Sequence, residues 1–299
     1  MIVITIVATK GGVGKATQAA NLGALLADMG VRVLLIDADV QPSLTRYFPI
    51  HQRMDFGLTE IIKRGIISPD CISKIDLRHP DGYGLNPNGC LDIVVANAPE
   101  GTLQDWLAQR IDRAVRIRKA VRAPFVDENY DVVLIDTQGA VGHLQDAAVL
   151  AADVLLSPIS PDILSAREFT SGTLELLNRL EPSAEIGITV PPMKALIYKL
   201  ERTRDSRDIA KSIRGQYVNL RARVDVLDIT VPHAVAYKQA ATAQQPVHWV
   251  DPVRAGATMH QLIWELIPSL AGSVAPNCAG FIDVAQFAED VDESVEAAA

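Results

Sequence analysis

The sequence predicts an α/β fold: a doubly wound, mostly parallel sheet flanked by helices, in a single domain. Residues 2–8 and 31–36 are almost continuously apolar and rich in β-branched side chains, as in strands buried on both faces. Between them, residues 17–29 carry apolar side chains at helical spacing and end at Gly30, a favourable C-cap. Strand, helix and strand within about 35 residues form a βαβ unit, which requires parallel strands.

The same alternation continues along the chain. Further strands are predicted over residues 91–96, 130–136, 153–157, 186–190 and 224–231, and helices over 58–63, 101–122, 161–180 and 253–270. No internal repeat or convincing linker interrupts it, so we expect one domain over residues 1–272. Residues 273–299 are acidic and rich in small side chains, and we expect them to form a flexible tail.

Composition limits the classes of function. The chain has 299 residues, and a hydrophobic content of 48% with only 5% aromatic residues predicts a large aliphatic core. The net charge of −8 gives no general attraction for nucleic acid, so DNA contact would have to be local. Three widely spaced cysteines indicate reduced thiols in a cytoplasmic protein. No apolar run approaches the ~20 residues of a membrane span, and the N-terminus lacks the features of a signal peptide, so we expect no membrane partner.

A glycine-rich loop over residues 9–17, TKGGVGKAT, joins the first predicted strand to the first predicted helix. Glycines let the backbone curl so that N–H groups point into one hollow, and the helix adds the positive end of its dipole. Lys15 supplies a cation for the outer phosphates of a nucleotide. Gly14 and Lys15 match the end of the signature G-x-x-x-x-G-K-S/T, but Ala16 stands where a hydroxyl normally binds Mg²⁺. The loop therefore predicts phosphate binding with a defect at the metal position.

Carboxylates follow two of the predicted strands. Asp37 and Asp39 end the second strand, at the edge of a parallel sheet where ligands bind, and their i, i+2 spacing points both toward the phosphate loop. Asp136 ends an apolar strand, as the acid of a Walker B strand does, and would hold Mg²⁺ through water or orient the attacking water. Gly139 follows it in a loop suited to sensing the terminal phosphate.

The most basic segment covers residues 194–223, with nine Lys or Arg against three acids. It has two interpretations of equal weight: a local, non-specific DNA contact, or a charged loop and helix face that partly serves dimer contacts. The DNA interpretation assigns the contact to Lys199, Arg202, Arg204, Arg207 and Arg214. A second basic group, over residues 110–122, is interpreted first as a solvated helix face and second as a binding surface.

These motifs together resemble a known family. Residues 10–15, KGGVGK, resemble the deviant Walker A motif of the ParA/Soj/MinD ATPases, which is marked by a second lysine, here Lys10. Residues 37–41, DADVQ, are similar to that family's D-x-D-P-Q, with Val40 in place of proline. The order of elements fits a P-loop NTPase of this family to about residue 270. Partition proteins of chromosomes, plasmids and integrative elements are the branch that the chain resembles most.

The resemblance implies ATP and Mg²⁺ as cofactors and an ATP-dependent homodimer that hydrolyses ATP. Lys10 would reach the phosphates held by the partner subunit, while Lys15 would bind those of its own. Asp39 would position the attacking water, and Asp37 and Asp136 would support Mg²⁺ through water. The implied nucleotide-binding residues are Gly11, Gly12, Val13, Gly14, Lys15, Ala16, Thr17 and Pro232.

The resemblance also implies partners and a location. The ATP dimer would bind DNA non-specifically, and a ParB-like partner would stimulate hydrolysis and release it. The protein would be cytoplasmic, and associated with the nucleoid when ATP is bound.

Ala16 is the main departure from the family, which has Thr or Ser there. Thr17 lies about 100° further round the helix and points elsewhere. Two functions therefore stay open: a slow partition-type ATPase, or a nucleotide-binding adaptor that dimerises but barely hydrolyses. A MinD-like membrane role lacks the basic amphipathic helix it requires, and an iron–sulfur carrier lacks a cysteine after the Walker B strand.

Overall fold

The computed structural model describes residues 1–97, 102–217 and 223–278, and these ranges contain one nine-stranded sheet. Its strands are β1 (Ile2–Ile6), β2 (Arg32–Ala38), β3 (Ile50–Gln52), β4 (Ser73–Ile75), β5 (Cys90–Val94), β6 (Val132–Thr137), β7 (Val154–Ile159), β8 (Met193–Leu200) and β9 (Val224–Pro232). Their order across the sheet is β3-β4-β5-β2-β6-β1-β7-β8-β9. Seven neighbouring strands, from β5 to β9 in this order, pair in parallel, and β3 and β4 add an antiparallel edge. The predicted mostly parallel sheet is confirmed.

Helices cover both faces of the sheet. They are α1 (Lys15–Asp28), α2 (Leu58–Arg64), α3 (Thr102–Ala108), α4 (Arg116–Val121), α5 (Pro124–Asn129), α6 (His143–Val149), α7 (Ile163–Leu180), α8 (Arg204–Tyr217), α9 (Val235–Ala243), α10 (Val247–Val250) and α11 (Ala257–Leu266). Alternation along β2 shows the two layers: Val33 and Leu35 join the core under α1 and α11, whereas Leu34 and Ile36 join the core under α2, α4 and α6. Each of these side chains is fully buried, which stabilises the fold by about 1.5–3 kcal/mol apiece.

The predicted strand over residues 186–190 is wrong. Glu181–Ile186 forms a 3₁₀ helix that ends at Gly187, whose φ of 77° is left-handed. The strand of this region is β8, which lies further along the chain. Its pairing with β7 begins at Pro192, whose carbonyl accepts a hydrogen bond from the amide of Leu155 (2.9 Å). Ile188 and Val190 pack against the core from an irregular segment, so their β-branched pattern reflects burial rather than pairing.

Two predicted helices are divided. The helix over 101–122 becomes α3, a 3₁₀ turn at Arg113–Val115 and α4, and Ile111 at the break is fully exposed. The helix over 253–270 becomes a π turn at Pro252–Gly256, then α11, then a short 3₁₀ turn that Pro268 begins, because proline cannot continue an α-helix.

The first residues of the predicted tail pack against α11. Trp264 Nε1 donates to the carbonyl of Ser273 (2.9 Å), and the Ala275 amide donates to His260 Nε2 (3.1 Å). Ala275 and Cys278 are buried. The rest of the predicted tail lies outside the described residues. Within those residues, no helix is both long enough and apolar enough to cross a membrane.

Candidate nucleotide site

A cavity of about 570 Å³ opens at the carboxyl edge of the parallel strands. This is within the usual range for small-molecule sites, and the edge is where open α/β sheets bind ligands. Side chains and backbone from four strand ends meet there. The cavity is lined by Gly11, Gly12, Gly14, Lys15, Ala16 and Thr17 of the phosphate loop, by Asp39 and Asp136, and by Lys199 at the end of β8.

The phosphate loop turns directly into α1. Gly12 and Gly14 have φ values of 76° and 89°, in the left-handed region that favours glycine, and α1 begins at the next residue, Lys15. Gly14 has a second constraint, because a Cβ on it would lie 2.2 Å from Cε1 of Tyr198. The helix N-terminus and the backbone N–H groups around it form a ready anion site.

The loop after β6 rests on the phosphate loop. A Cβ on Gly139 would lie 2.8 Å from the amide nitrogen of Gly11 and 2.9 Å from its Cα. Thr137, which precedes this loop, donates its hydroxyl to the carbonyl of Ile6 at the end of β1 (2.9 Å). The loop after β6 and the phosphate loop are therefore in direct contact. A ligand bound at the phosphate loop would also lie beside the backbone of the loop after β6.

Asp136 is the buried carboxylate of the cavity. Its side chain is 1% exposed, and Oδ1 has no hydrogen-bond partner among the described residues. Burial raises the pKa of Asp136 well above its ordinary value, the negative charge of Asp37 raises it further, and the Lys15 ammonium partly offsets both. A buried acceptor without a donor suits a cation or a metal-bound water. No group of three or more His, Cys, Asp or Glu in the described part of the chain could hold a metal ion alone, so Mg²⁺ here would depend on phosphate and water oxygens.

Asp37 and Asp39 have different surroundings, although both were predicted to face the phosphate loop. Asp39 lines the cavity, and its Oδ1 accepts from the Gln41 amide (2.9 Å). Asp37 is fully buried and does not line the cavity; its Oδ2 accepts from the amide (2.7 Å) and hydroxyl (2.6 Å) of Thr45. Burial raises the pKa of Asp37 to about 6, although the Thr45 hydrogen bonds oppose the shift. Asp37 therefore acts on the site through its charge on Asp136.

Three other predicted site residues lie outside the cavity lining. Lys10 is half-buried beside the loop, and Val13 is buried in the fold. Pro232 is exposed at the end of β9, where it pairs with Leu200 of the neighbouring strand. The structure thus brings together eight of the predicted nucleotide, catalytic and metal residues around one cavity: Gly11, Gly12, Gly14, Lys15, Ala16, Thr17, Asp39 and Asp136.

Lys199, predicted as a DNA contact, lines this cavity. Sequence reasoning also missed Tyr198, whose ring covers Gly14 and is 2% exposed. Burial raises the pKa of Tyr198, which keeps the phenol neutral. A lysine at the carboxyl end of a parallel strand was a usable signal for Lys199, because that edge is the ligand edge. The Tyr198–Gly14 contact joins positions too distant in sequence for any local pattern to reveal.

The other predicted DNA contacts surround α8. Arg202, Arg204 and Arg207 are exposed, and the side chain of Arg204 is 93% exposed despite an Asp208 carboxylate at 3.7 Å. Arg214 is bound to β9, because its guanidinium donates to the carbonyls of Leu227 (2.7 Å) and Asp228 (2.9 Å). The exposed cations therefore lie around the first turn of α8.

The basic group over residues 110–122 is largely engaged within the fold. The guanidinium of Arg116 donates to the carbonyl of Lys63 (3.2 Å), and that of Arg118 to the carbonyl of Leu150 (3.2 Å). Arg122 pairs with Asp153 (2.6 Å). These contacts fasten α4 to its neighbours.

Comparison with known proteins places the chain in a family. The family model of the AAA domain matches residues 1–184. The chromosome partitioning protein ParA of Caulobacter vibrioides is 28% identical over 256 residues, which cover 85% of this chain and 89% of that protein. The sporulation initiation inhibitor protein Soj of Bacillus subtilis is 27% identical over 277 residues, which cover 92% of this chain and 98% of that protein.

The fold has structural neighbours too. The structure of apo McdA from Cyanothece has a TM-score of 0.72 at 20% identity and covers 89% of this chain and 99% of that one, a likeness that shows the shared fold. The family model covers more than half of this chain, and the ParA and Soj relatives continue well beyond its end. The chain therefore belongs to the AAA domain family, as a P-loop ATPase of the ParA/MinD type.

Proposed function

We propose that this protein is an ATP-dependent dimerising switch for the partition or maintenance of a chromosome, plasmid or integrative element. The observation that carries the proposal is one cavity that combines a phosphate loop with two carboxylates, Asp39 and Asp136. A catalyst of phosphoryl transfer needs little more than such positioning and charge neutralisation. The names of the ParA and Soj relatives support the partition role.

The phosphates of ATP would bind the loop amides and Lys15, whose side chain is 7% exposed and lines the cavity. Bound Mg²⁺ would neutralise charge on the outer phosphates. The unpartnered Oδ1 of Asp136 would accept from a water of that ion, and Asp37 would maintain negative charge beneath it. Asp39, at the cavity surface, would position the attacking water.

ATP-dependent dimerisation is supported by Lys10. This lysine marks the family's phosphate loop, and it does not line the cavity of its own subunit. A lysine placed beside the loop can reach the phosphates of a facing subunit, so the site would be complete only in the dimer. Assembly and nucleotide state would then be linked.

Non-specific DNA binding by the ATP dimer is supported by the exposed Arg202, Arg204 and Arg207. Attraction to phosphates needs no reading of bases and falls steeply with salt. In this proposal a ParB-like protein stimulates hydrolysis and releases the DNA, and the ATP form resides on the nucleoid.

A second function is favoured by one residue. Ala16 lies in the first turn of α1 and lines the cavity without a hydroxyl for Mg²⁺. The alternative is a nucleotide-binding adaptor that dimerises but barely hydrolyses. Steady-state ATP turnover with DNA and partner present separates the two functions.

The experiment that tests the proposal measures DNA binding with ATP, ADP or no nucleotide over a series of salt concentrations. We expect the protein to bind DNA only with ATP. In the triple variant Arg202→Glu, Arg204→Glu, Arg207→Glu, we expect DNA affinity to depend less steeply on salt concentration. A matched control carries the same charge change at three exposed cations elsewhere: Arg53, Lys63 and Lys119. Equal DNA affinity in all three nucleotide states contradicts the switch. Equal losses in both triple variants place the contact elsewhere.

A further inference from the structure

The backbone of Lys199 has a conformation that is rare for its residue type. Its φ of 63° is left-handed, and within the described ranges only one other non-glycine residue, Gln244, has a positive φ. Lys199 lies at a break in strand pairing: Tyr198 pairs with Val231 and Leu200 with Pro232, with a register shift between them. Bulges of this kind re-aim side chains, and such strain is concentrated at functional sites.

The re-aimed side chain faces the nucleotide cavity. Lys199 lines the cavity together with Gly14 and Thr17, at the start of α1. Its Nζ lies 5.5 Å from the ring centroid of Tyr198, and that ring in turn covers Gly14. Lys199 is exposed to solvent, and it lines the cavity from a strand that pairs on both sides.

The order of strands shows which end of the cavity Lys199 occupies. The phosphate loop follows β1, and β6 and β2, which position Asp136 and Asp39, lie on one side of it. β8, which carries Lys199, lies on the other side, beyond β7. A nucleotide with its terminal phosphate near Asp39 and Asp136 therefore presents its inner phosphate and nucleoside to Lys199.

We propose that Lys199 is a nucleotide ligand that binds the inner-phosphate side of ATP and ADP alike. This inference rests on the proposed function, because it assumes that nucleotide occupies the cavity. It separates Lys199 from Arg202 and the basic surface of α8, only a few residues further along the chain. It also adds a second lysine, besides Lys15, to a cavity in which Ala16 offers no metal ligand.

The test is titration calorimetry with Mg-ADP and Mg-ATP, without DNA. Lys199→Met removes the cation and keeps the length of the side chain, and we expect about tenfold weaker binding of both nucleotides, the loss of one charge-assisted contact. Lys199→Arg keeps the cation and should retain most of the affinity. Lys199→Gly suits the left-handed backbone but has no cation, so it should be as weak as Lys199→Met. Lys63→Met is the matched control, because Lys63 is exposed and does not line the cavity, and it should bind as wild type does.

The remaining outcomes overturn the proposal in different ways. Unchanged ADP and ATP affinity in Lys199→Met, beside a wild type that binds both, overturns this inference and leaves the proposed function intact. Weakened ATP binding with unchanged ADP binding places Lys199 at the outer phosphate, against the proposal. Wild-type affinity in Lys199→Gly assigns the role to the backbone rather than to the cation. A wild type that binds neither nucleotide overturns both the inference and the proposed function.

Discussion

Asp37 and Asp136 are Cα partners on the adjacent parallel strands β2 and β6, and both carboxyl groups are buried at the cavity edge of the sheet. Burial first, and the charge of Asp37 second, raise the pKa of Asp136. The folded protein therefore brings two acids together beside the phosphate loop, and the Lys15 ammonium only partly offsets the rise in the pKa of Asp136. A bound cation relieves this repulsion, which couples stability to ligand binding.

Replacing Asp136 with Asn should stabilise the nucleotide-free protein while removing part of its response to metal. The substitution removes a buried like charge, and we expect a gain of about 1 kcal/mol in the free energy of unfolding. Urea unfolding without nucleotide measures this gain, and thermal unfolding with ATP, in Mg²⁺ or in EDTA, measures the response. Asp39→Asn is the control, because Asp39 is only partly buried and should change apo stability little. An Asp136→Asn protein that is less stable without nucleotide contradicts the interpretation.

Restoring the hydroxyl at Ala16 should raise activity. Ala16 lies in the first turn of α1 and lines the cavity, so Ala16→Thr adds an oxygen where the loop signature places the Mg²⁺ ligand. We expect roughly tenfold faster ATP turnover, equivalent to ~1.4 kcal/mol in the barrier, and a lower Mg²⁺ concentration for half-maximal rate. Ala16→Val adds similar bulk without the oxygen and should not accelerate turnover. No gain with threonine would show that Ala16 does not limit hydrolysis.

Gly14 should not tolerate a side chain. Gly14→Ala meets both a φ of 89° and a Cβ position 2.2 Å from Tyr198, so we expect a loss of about 1–3 kcal/mol in stability and weak nucleotide binding. Urea unfolding without nucleotide checks the first effect. Gly11→Ala is the matched control for stability, because a Cβ there meets no atom within 4 Å. The double variant with Tyr198→Ala should recover the part of the loss due to contact but not the part due to φ.

The sequence was sufficient where function and fold use local patterns. Buried strands followed by glycines or acids predicted the positions of the phosphate loop, Asp39 and Asp136. The sequence was insufficient where residues outside the local pattern decide whether a segment joins the sheet or where a side chain lies. The β-branched residues near Ile188 have the composition of a strand, but Gly187 and two prolines keep them out of the sheet. Lys199 stands in a basic run, and only the register shift beside Pro232 directs it to the cavity.

A buried histidine at the far end of α1 should make stability depend on pH. His248 and Asp28 are both fully buried, with His248 Nε2 3.1 Å from Asp28 Oδ2, and Trp249 Nε1 donates to the same oxygen (2.9 Å). Burial lowers the pKa of His248, and the nearby Asp28 only partly opposes the shift. The folded protein therefore holds this imidazole neutral at a pH where the unfolded chain, with an ordinary pKa of about 6.5, binds a proton.

The free energy of unfolding should consequently fall as pH decreases below about 6.5, and should stop falling at the lowered pKa of His248 in the folded state. Within this window, His248 contributes a slope of up to ~1.4 kcal/mol per pH unit. His260, whose pKa burial also lowers, adds to the slope, whereas Asp37, with a pKa raised to about 6, opposes it between about pH 6 and 4. Urea unfolding of wild type and His248→Gln at pH 7.5, 6.5 and 5.5 isolates the contribution of His248, because the other groups are common to both proteins. Glutamine still donates to Asp28 but does not titrate, so the difference in stability between the two proteins should shrink as pH falls. A difference that stays constant with pH would mean that His248 titrates alike in the folded and unfolded states.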